Sequence, residues 1–395
     1  MSYRKRMMHT PPPKGTNAER SRTLNRQAVL GQIHAAGAMG RAEIARSMGL
    51  STQAVSNIIA ELEEDGLLVE RGTRSGGRGL PAVQYGLNPE GGYAMGVEVR
   101  PDAIFTALLD LQGDTIVTRR KATKSTKPHK VIARVVKMRD AMLEKAKVSS
   151  DRLLGAGIVM PGPFGETGLS GEGSDLPDWQ RIDATSAFRD ALEVPIELSN
   201  DANAAAMAER IGGAAQGIGN YAYLYFGAGL GLGLISQGRL VPGAFGNAGE
   251  IGHVPVPTPS GAAPLESLLS RLSVQRHLSG KGHGQLDFKE LAALHAKGDA
   301  DLLAWLSYAS SALSHAVQII ENLFDPQTII LGGAMPESML DQLVEVTELP
   351  TSSVSHRRDN PHPRLQRGTS GRMTATLGAA SLVLNHAFTP QSAHS

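Results

Sequence analysis

Cysteine is absent from the 395 residues of this chain. Its absence excludes disulfides, thiolate metal sites and cysteine nucleophiles together. Aromatic residues make up only 4% of the sequence, and no run of about 18 consecutive apolar residues occurs. A membrane-spanning helix is therefore not expected. The basic beginning of the chain is followed by proline and polar residues instead of an apolar signal core, which predicts a cytoplasmic protein.

The charge is distributed unevenly, although the formal net charge is only +1. Residues 1–82 contain 12 Lys/Arg and 7 Asp/Glu, whereas the remaining 313 residues contain 27 and 31. A basic domain joined to a larger, mildly acidic one is typical of a nucleic-acid-binding fusion, because neutralised phosphates supply most non-specific DNA affinity. An ordinary basic tail on a globular protein would have the same charge. The chain length and its 41% apolar content predict two or three domains.

The first 88 residues carry the pattern of a winged helix-turn-helix domain. Residues 1–16 are basic and rich in proline, which predicts a flexible arm. Apolar residues at helical spacing from Asn17 onwards predict a first helix. A short second helix over 41–48 is followed by Gly49, which can take positive φ at a helix end. We therefore assign residues 17–88 to this domain.

The third helix of this domain has the composition of a DNA recognition helix. Ser51 is a good N-cap, and an apolar stripe from Val55 to Leu62 leaves short polar side chains on the opposite face. Asn and Gln can pair with adenine, Ser and Thr can reach bases or phosphates, and amides at the helix N-terminus favour a phosphate. A strand over 67–71, a loop over 72–79 rich in glycine and arginine, and a return strand predict a wing. The predicted DNA-binding residues are Arg41, Ser51, Thr52, Gln53, Ser56, Asn57, Arg74 and Arg78.

From Tyr93 onwards the pattern changes to alternating strands and helices. Strands are predicted over 93–99, 103–109 and 115–119, and again over 221–227, 230–236 and near Arg239. These two sets of three successive strands predict that the region consists of two similar α/β halves, each beginning with three strands, with a cleft for a small ligand between them. The long helical pattern over 302–324 could serve dimerisation, although its apolar face could equally belong to the core.

Polar residues suited to a polyol follow one of the predicted strands. Asn200 and Asp201 place an amide and a carboxylate at a strand's carboxyl end. Asp accepts hydrogen bonds, and Asn both donates and accepts them. Glu250 and His253 form a second cluster, and Glu266 is a third acidic candidate. The structural alternative for Asp201 is the capping of the helix that follows it.

Five motifs occur in order along this region. They are Leu176-Pro177-Asp178-Trp179, Asn200 to Ala206 (N-D-A-N-A-A-A), Gly227 to Gly233 (G-A-G-L-G-L-G), Gly246 to His253 (G-N-A-G-E-I-G-H) and the turn Leu331-Gly332-Gly333. Together they resemble the signature of the ROK family (repressor, open reading frame, kinase), from about Tyr93 to Phe388. The winged domain in front of them is similar to that of the family's regulator branch.

The resemblance implies an α/β protein in which a winged helix-turn-helix precedes a two-lobed actin-like ATPase (ribonuclease H-like) sugar-kinase fold. One lobe would comprise 93–205 with a C-terminal helix over 373–388, the other 206–370, and 389–395 would be a tail. It also implies that sugar binds between the lobes. The implied sugar contacts are Asn200, Asp201, Glu250, His253 and Glu266. In the family's kinases, the residue matching Asp201 is the general base.

Two departures from the family pattern bear on catalysis and metal binding. Family kinases have an Asp-x-Gly-Gly-Thr turn that approaches phosphate, whereas this chain has Glu98-Val99-Arg100-Pro101. Side chains and a proline there would spoil a phosphate cradle, although Arg100 could itself attract phosphate. Many relatives combine a histidine matching His253 with three cysteines on the next loop, and 254–264 has none. We therefore expect no metal, and we expect His253 to contact sugar directly.

The sequence thus predicts a sugar-responsive DNA-binding transcriptional regulator. We expect a repressor of carbohydrate uptake or catabolism genes, released by sugar, with no cofactor and with only a vestigial base at Asp201. The expected partners are a double-stranded DNA operator, a sugar or sugar derivative, and further copies of the chain in a homodimer or dimer of dimers, with no membrane partner. An active ATP-dependent sugar kinase fused to a DNA-binding domain is the alternative. A sugar-binding assembly factor that does not touch DNA, with a three-helix interaction module, is a third reading.

Overall fold

The computed structural model describes residues 16–74, 81–100, 103–160, 162, 176–179, 182–227, 229–259 and 261–390. These residues form two compact units. The small unit contains the residues up to Leu87 together with those from His386 onwards, and the large unit is Asn88–Asn385. None of the described helices has the length and apolar character needed to cross a lipid bilayer.

The small unit has three helices and a three-stranded antiparallel sheet in the order β1-β3-β2. Its elements are α1 (Thr16–Ala36), β1 (Met39–Gly40), α2 (Arg41–Met48), α3 (Thr52–Glu64), β2 (Leu68–Arg74) and β3 (Ala82–Leu87). Val29, Ile33, Ile44 and Ile59 are fully buried between the helices, and Tyr85 of β3 joins them. This is the helix-turn-helix with a wing that the apolar spacing predicts.

Local details of the small unit partly differ from the sequence expectations. Gly49 ends α2 at φ 65°, as predicted. The second strand runs to Arg74, three residues into the predicted loop, because a β-bulge between Glu70 and Thr73 accommodates Gly72 at φ 92°. Strand β1 was not predicted, since two residues carry no readable alternation and depend on pairing with β3.

The large unit consists of strands and helices that build two sheets and a hairpin. Its strands are β4 (Tyr93–Val99), β5 (Ala103–Asp110), β6 (Thr115–Ala122), β7 (Leu153–Val159), β8 (Ile196–Ser199), β9 (Tyr221–Phe226), β10 (Leu230–Ser236), β11 (Arg239–Leu240), β12 (Pro255–Thr258), β13 (Gly261–Pro264), β14 (Thr328–Gly333) and β15 (Leu365–Arg367). Its helices are α4 (Pro128–Ala146), α5 (Ala184–Leu192), α6 (Asp201–Gly212), α7 (Arg271–Gly280), α8 (Phe288–Ala296), α9 (Ala300–Phe324), α10 (Glu337–Val346) and α11 (Thr374–Phe388), the last of which ends among the residues of the small unit.

The two large sheets have the same topology. Their strand orders are β6-β5-β4-β7-β8 and β11-β10-β9-β14-β15. If the strands of each sheet are numbered along the chain from one to five, both sheets have the order 3-2-1-4-5. In both sheets the first three strands are antiparallel neighbours, and the fourth and fifth run parallel to the first. This duplication confirms the predicted two-lobed, actin-like fold.

Each lobe has its own apolar core. The second core packs β9, β10 and β14 against α9, whose Trp305, Leu313 and Ile320 are buried. The apolar face of α9 therefore belongs to the core, which settles one of the two readings of this helix. A role of its other face in dimerisation stays a prediction.

Close helix contacts hold α6 in place at the centre of the large unit. A Cβ on Gly157 of β7 would lie 1.7 Å from the carbonyl oxygen of Ala379, so α11 rests directly on the first sheet. A Cβ on Gly378 would lie 1.7 Å from the carbonyl oxygen of Ala204. Only glycine permits either approach, because any larger residue would overlap backbone atoms. These contacts pack α6, whose N-terminus carries candidate site residues, against α11 and through it against the first sheet.

Candidate functional site

The carboxyl ends of three parallel strands carry the first half of the candidate site. In the sheet register, Glu98 of β4 lies beside Val159 of β7, and Val159 lies beside Ser199 of β8. Glu98 and Asn200 therefore emerge at the same edge of the sheet, where ligands bind in open α/β folds. This edge is also where α6 begins.

At the start of α6, the neighbouring side chains of Asn200 and Asp201 have different roles. The Oδ1 atom of Asn200 accepts a hydrogen bond of 2.8 Å from the backbone N–H of Asn203, so Asn200 is the N-cap. The helix begins at Asp201, and the alternative that Asp201 caps a helix from Ala202 is wrong. Its carboxylate lies at the first helical position, where Oδ1 accepts from the Ala202 N–H at 2.9 Å. A helix N-terminus stabilises such a negative charge.

Three carboxyl groups converge on this point. Burial, followed by the charges of Glu98 and Glu250, raises the pKa of Asp201 to about 6. Glu98 is itself buried, and its two oxygens accept hydrogen bonds of 2.6 Å from the Nε of Arg100 and the Oγ1 of Thr376. Asp201, in contrast, has no ion-pair partner among the described residues. Burial of such a carboxylate is costly, and hydroxyl donors from a polyol would satisfy it.

Glu250, His253 and Glu266 form the second half of the site. The Nε2 of His253 lies 3.8 Å from the Oε2 of Glu250, and its Nδ1 lies 3.9 Å from the Oε1 of Glu266. Burial raises the pKa of Glu250, an effect that His253 opposes and Glu266 reinforces. A Cβ on Gly162 would lie 3.6 Å from Oε1 of Glu250 and 3.9 Å from Cβ of Asn200. Gly162 thus lies between Asn200 and Glu250, and the structure brings the five predicted sugar contacts into one cluster. That they bind sugar stays a prediction.

The loop after His253 is closed by backbone pairing. Strands β12 and β13 form an antiparallel hairpin from Pro255 opposite Pro264 to Thr258 opposite Gly261. Val256 in this hairpin is buried. Hydrogen bonds between the strands therefore hold the segment in which many relatives would carry three cysteines. The expectation that His253 binds no metal stays a prediction.

One group among the described residues has the spacing of metal ligands. The ligand atoms of His283, Asp299 and Asp301 lie within 4.8 Å of one another. None of them belongs to the cleft. The Oδ1 of Asp299 accepts from the backbone N–H groups of Asp301 and Leu302 and so caps α9. The positive end of a helix dipole disfavours a cation there, so the arrangement favours capping over metal binding.

The turn that replaces the family's phosphate motif has a different construction. The backbone N–H of Arg100 donates to the carbonyl of Ala103 at 2.9 Å, which ties this amide to the β4–β5 hairpin. Pro101 lies outside the described residues. In the sequence, Glu98 is notable only because it departs from the family's phosphate motif. In the structure it lies close enough to Asp201 to raise the pKa of that residue. Thr376 was missed altogether, because it lies 278 residues from Glu98 and no local pattern links them.

The predicted recognition helix presents its polar face as expected. Thr52, Gln53 and Asn57 of α3 are exposed, and Ser56 is half-buried. The Nε2 of Gln53 donates to the Oδ1 of Asn57 at 3.1 Å, so the two amides act as neighbours one turn apart. The Ser51 hydroxyl oxygen accepts from the Ala54 N–H and serves as the N-cap, which leaves its O–H as a donor for DNA.

The predicted arginines of the small unit have diverse surroundings. Arg41 is exposed, with its guanidinium carbon 5.1 Å from the centre of the Tyr85 ring. Arg74 is 72% exposed and approaches Glu43 at 3.7 Å, a weak contact that phosphate could displace. Arg78 lies outside the described residues. All eight predicted DNA contacts therefore remain predictions, although seven are placed by the structure.

Fold and site together define a class of protein: a winged-helix DNA-binding unit joined to a two-lobed domain of sugar-kinase topology whose cleft is lined by carboxylates. Residues 94–386 match the model of the ROK family, and residues 23–79 match that of the MarR family. The chain belongs to the ROK family.

Similar proteins include both repressors and kinases. The xylose repressor of Bacillus spizizenii is 26% identical over 92% of this chain and 95% of its own length. A solved ROK family transcriptional regulator, described as a homologue of the Escherichia coli MLC protein, has a TM-score of 0.73 at 21% identity over 93% of this chain and 98% of its own. The ROK hexokinase of Thermus thermophilus has a TM-score of 0.57 at 25% identity over 73% and 97%. The chain is a sugar-responsive, DNA-binding transcriptional regulator, as its sequence predicts.

Proposed function

We propose that this regulator is a cytoplasmic repressor, that a sugar bound in the cleft releases it from operator DNA, and that it does not phosphorylate the sugar. The observation that carries the proposal is that the carboxyl groups of Glu98, Asp201 and Glu250 lie close together. Next to them, the backbone N–H of Arg100 is already hydrogen-bonded within the β4–β5 hairpin. The cleft therefore keeps acceptors for sugar hydroxyls, while in the neighbouring turn the amide of Arg100 is already paired and Pro101 has no N–H to offer a phosphate. The regulated genes would serve carbohydrate uptake or catabolism.

Release follows from linkage between the cleft and the DNA-binding units. Asp201 stands at the edge of the first sheet and Glu250 on the second lobe, so one sugar that contacts both favours a closed arrangement of the lobes. If the closed form of a homodimer holds the winged units at another separation, its affinity for operator DNA must change. Half-sites lie about 34 Å apart, so a modest rotation is enough to break register.

A sugar kinase fused to a DNA-binding domain is the second candidate. A pKa of about 6 at Asp201 suits a general base near neutral pH. Against it, Glu98 is held between Arg100 and Thr376, and the backbone of the adjoining turn pairs with Ala103. Phosphoryl transfer depends on positioning and on electrostatic stabilisation of phosphate, and the paired amide of Arg100 is not available for either.

The proposal is tested with the full-length protein and a DNA duplex isolated by in vitro selection. Pentoses, hexoses, amino sugars, polyols and their phosphates are added to the labelled complex, and release is followed by fluorescence anisotropy. Xylose belongs in the panel because one relative is a xylose repressor. A coupled assay measures ATP consumption with the same panel. Release by one sugar without turnover supports the proposal, and sugar-dependent turnover would establish the kinase instead.

Sugar affinity is expected to fall about tenfold as the pH is lowered from 7 to 5. A hydroxyl donates to the ionised form of Asp201, and with a pKa of about 6 only about a tenth of this group is ionised at pH 5. The raised pKa of Glu250 acts in the same direction. Isothermal titration with the identified sugar at both pH values measures the change. Affinity independent of pH would mean that Asp201 binds as a protonated donor or does not contact the sugar.

A further inference from the structure

A strongly basic segment in the large unit has no part in the cleft. Residues 119–147 contain 11 Lys/Arg and two Asp/Glu, whereas the rest of 83–395 contains 16 and 29. The segment comprises the end of β6, all of α4 and the residues between them. Positive charge is therefore concentrated on one surface of an otherwise acidic unit, which requires an explanation.

The charges form a single stripe along α4 and its N-cap, Lys127. Lys127, Lys130, Arg134 and Lys137 are spaced by three, four and three residues, and all four side chains are exposed. At 100° per residue they lie within an arc of about 80° and extend over about 15 Å. We call these four residues the basic stripe. The Nη1 of Arg134 donates to the carbonyl of Ala122 at 2.6 Å, so the end of β6 lies alongside it.

The basic stripe is neither neutralised nor combined with apolar surface. Within the described part of the chain, no carboxylate oxygen lies within 4.0 Å of its side-chain nitrogens, and the acidic residue nearest in sequence, Asp140, is paired with Arg139. Among the described residues from 117 to 160, no large apolar side chain is exposed. Protein interfaces are depleted in lysine and rely on aromatic and apolar anchors, which are missing here. A phosphate backbone requires only positive charge.

Protection of a sheet edge explains only part of this charge. Strand β6 is the edge strand of its sheet, and lysines such as Lys121 on an edge discourage pairing with other chains. The basic stripe lies on a helix, which has no unpaired strand edge to protect. Its regular spacing over almost three turns therefore calls for a partner of opposite charge.

We propose that the basic stripe binds the phosphate backbone of double-stranded DNA flanking the operator. This inference rests on the proposed function, repression at an operator held by the winged unit, and extends DNA binding to a second surface. Once the winged unit is bound, DNA is present at high effective concentration near the rest of the same chain, so individually weak phosphate contacts contribute to affinity. The contact supplies affinity and salt dependence but no sequence preference, since phosphates carry no base information.

The test uses a matched pair of charge variants. Lys127→Gln, Lys130→Gln and Lys137→Gln are combined in one full-length variant, leaving Arg134 and its backbone contact intact. The control combines Lys281→Gln, Lys289→Gln and Lys297→Gln, three exposed lysines outside the basic segment, with the same reduction in charge. A third variant replaces the stripe lysines by arginine. Each protein is titrated with the selected duplex, either trimmed to its half-sites or extended by about two helical turns of flanking sequence on each side.

The stripe variant is expected to show a weaker salt dependence on the extended duplex. The slope of log affinity against log salt should decrease by about 0.9 for each phosphate that is no longer neutralised, hence by up to about 2.7 per subunit. The ratio of wild-type to variant affinity should then shrink about 40-fold per subunit between 50 and 200 mM salt. The control and the arginine variant should match wild type. On the trimmed duplex all four proteins should bind alike.

The possible outcomes distinguish a failure of the stripe proposal from a failure of the proposed function. If the wild-type protein selects no duplex, the proposed repression at an operator fails. If it selects one, but the stripe variant matches the control on the extended duplex at an unchanged melting temperature, the stripe does not bind DNA and the function stands. Loss of binding to phosphatidylserine vesicles with unchanged DNA affinity would assign the stripe to an anionic lipid surface and overturn the proposal.

Discussion

Replacing Asp201 by asparagine is expected to weaken sugar binding by about 1–3 kcal/mol and to leave sugar-free DNA binding unchanged. The amide has nearly the same shape, and its oxygen can still accept from the Ala202 N–H. It offers an N–H₂ group, however, where a carboxylate oxygen accepts from a sugar hydroxyl, so a buried hydroxyl is left mispaired. In a cell the variant would repress normally and fail to respond to inducer. Isothermal titration with the identified sugar measures the decrease in affinity.

Two further variants make this result specific to the cleft. Glu250→Gln should act in the same way, because Glu250 meets the sugar from the second lobe. Glu345→Gln, an exposed carboxylate on α10, should bind sugar as wild type does. Undiminished affinity in the Asp201 variant would reject the contact. If instead a wild-type ATP turnover were abolished by this substitution, Asp201 would be a working general base and the protein a kinase.

Substitution of Gln53 or Asn57 by alanine is expected to weaken specific DNA binding by about 1–3 kcal/mol each. Both amides are exposed on α3 and can pair with the edge of an adenine. Their side chains are hydrogen-bonded to each other at 3.1 Å, so each orients the other and the two effects should not add. Anisotropy titrations with the selected duplex and with a random duplex, at one fixed salt concentration, measure the single and double variants.

The control for these substitutions is Gln32→Ala on α1, where an exposed amide is removed away from α3. It should bind both duplexes as wild type does. The alanine variants should approach the random-duplex affinity of wild type without falling below it, because phosphate contacts persist. Variants that retain wild-type preference for the selected duplex would show that α3 does not read bases.

Longer strands with a clear sequence pattern were predicted more accurately than short strands. Strands β4 and β10 have the bounds predicted for them, because each is a mainly apolar run of seven residues between turns. The pairs β12–β13 and β14–β15 were not foreseen as pairs, since four- and three-residue strands depend on their partners more than on their own composition. At Asn200 the sequence contained two capping residues in succession, and only the structure distinguishes the cap from the first helical residue.

The sequence by itself determined the family, the duplicated α/β architecture and the winged domain, because these depend on ordered motifs and local periodicity. Only the tertiary structure decided their electrostatics. The raised pKa of Asp201 depends on burial and on Glu98, which is positioned by Arg100 and by Thr376. Burial and contacts between distant segments arise when the sheets and helices pack, and no spacing along the chain encodes them locally. The basic stripe is the opposite case, since its charges can be read along the chain, whereas only the folded surface shows that no carboxylate of the described segments pairs with them.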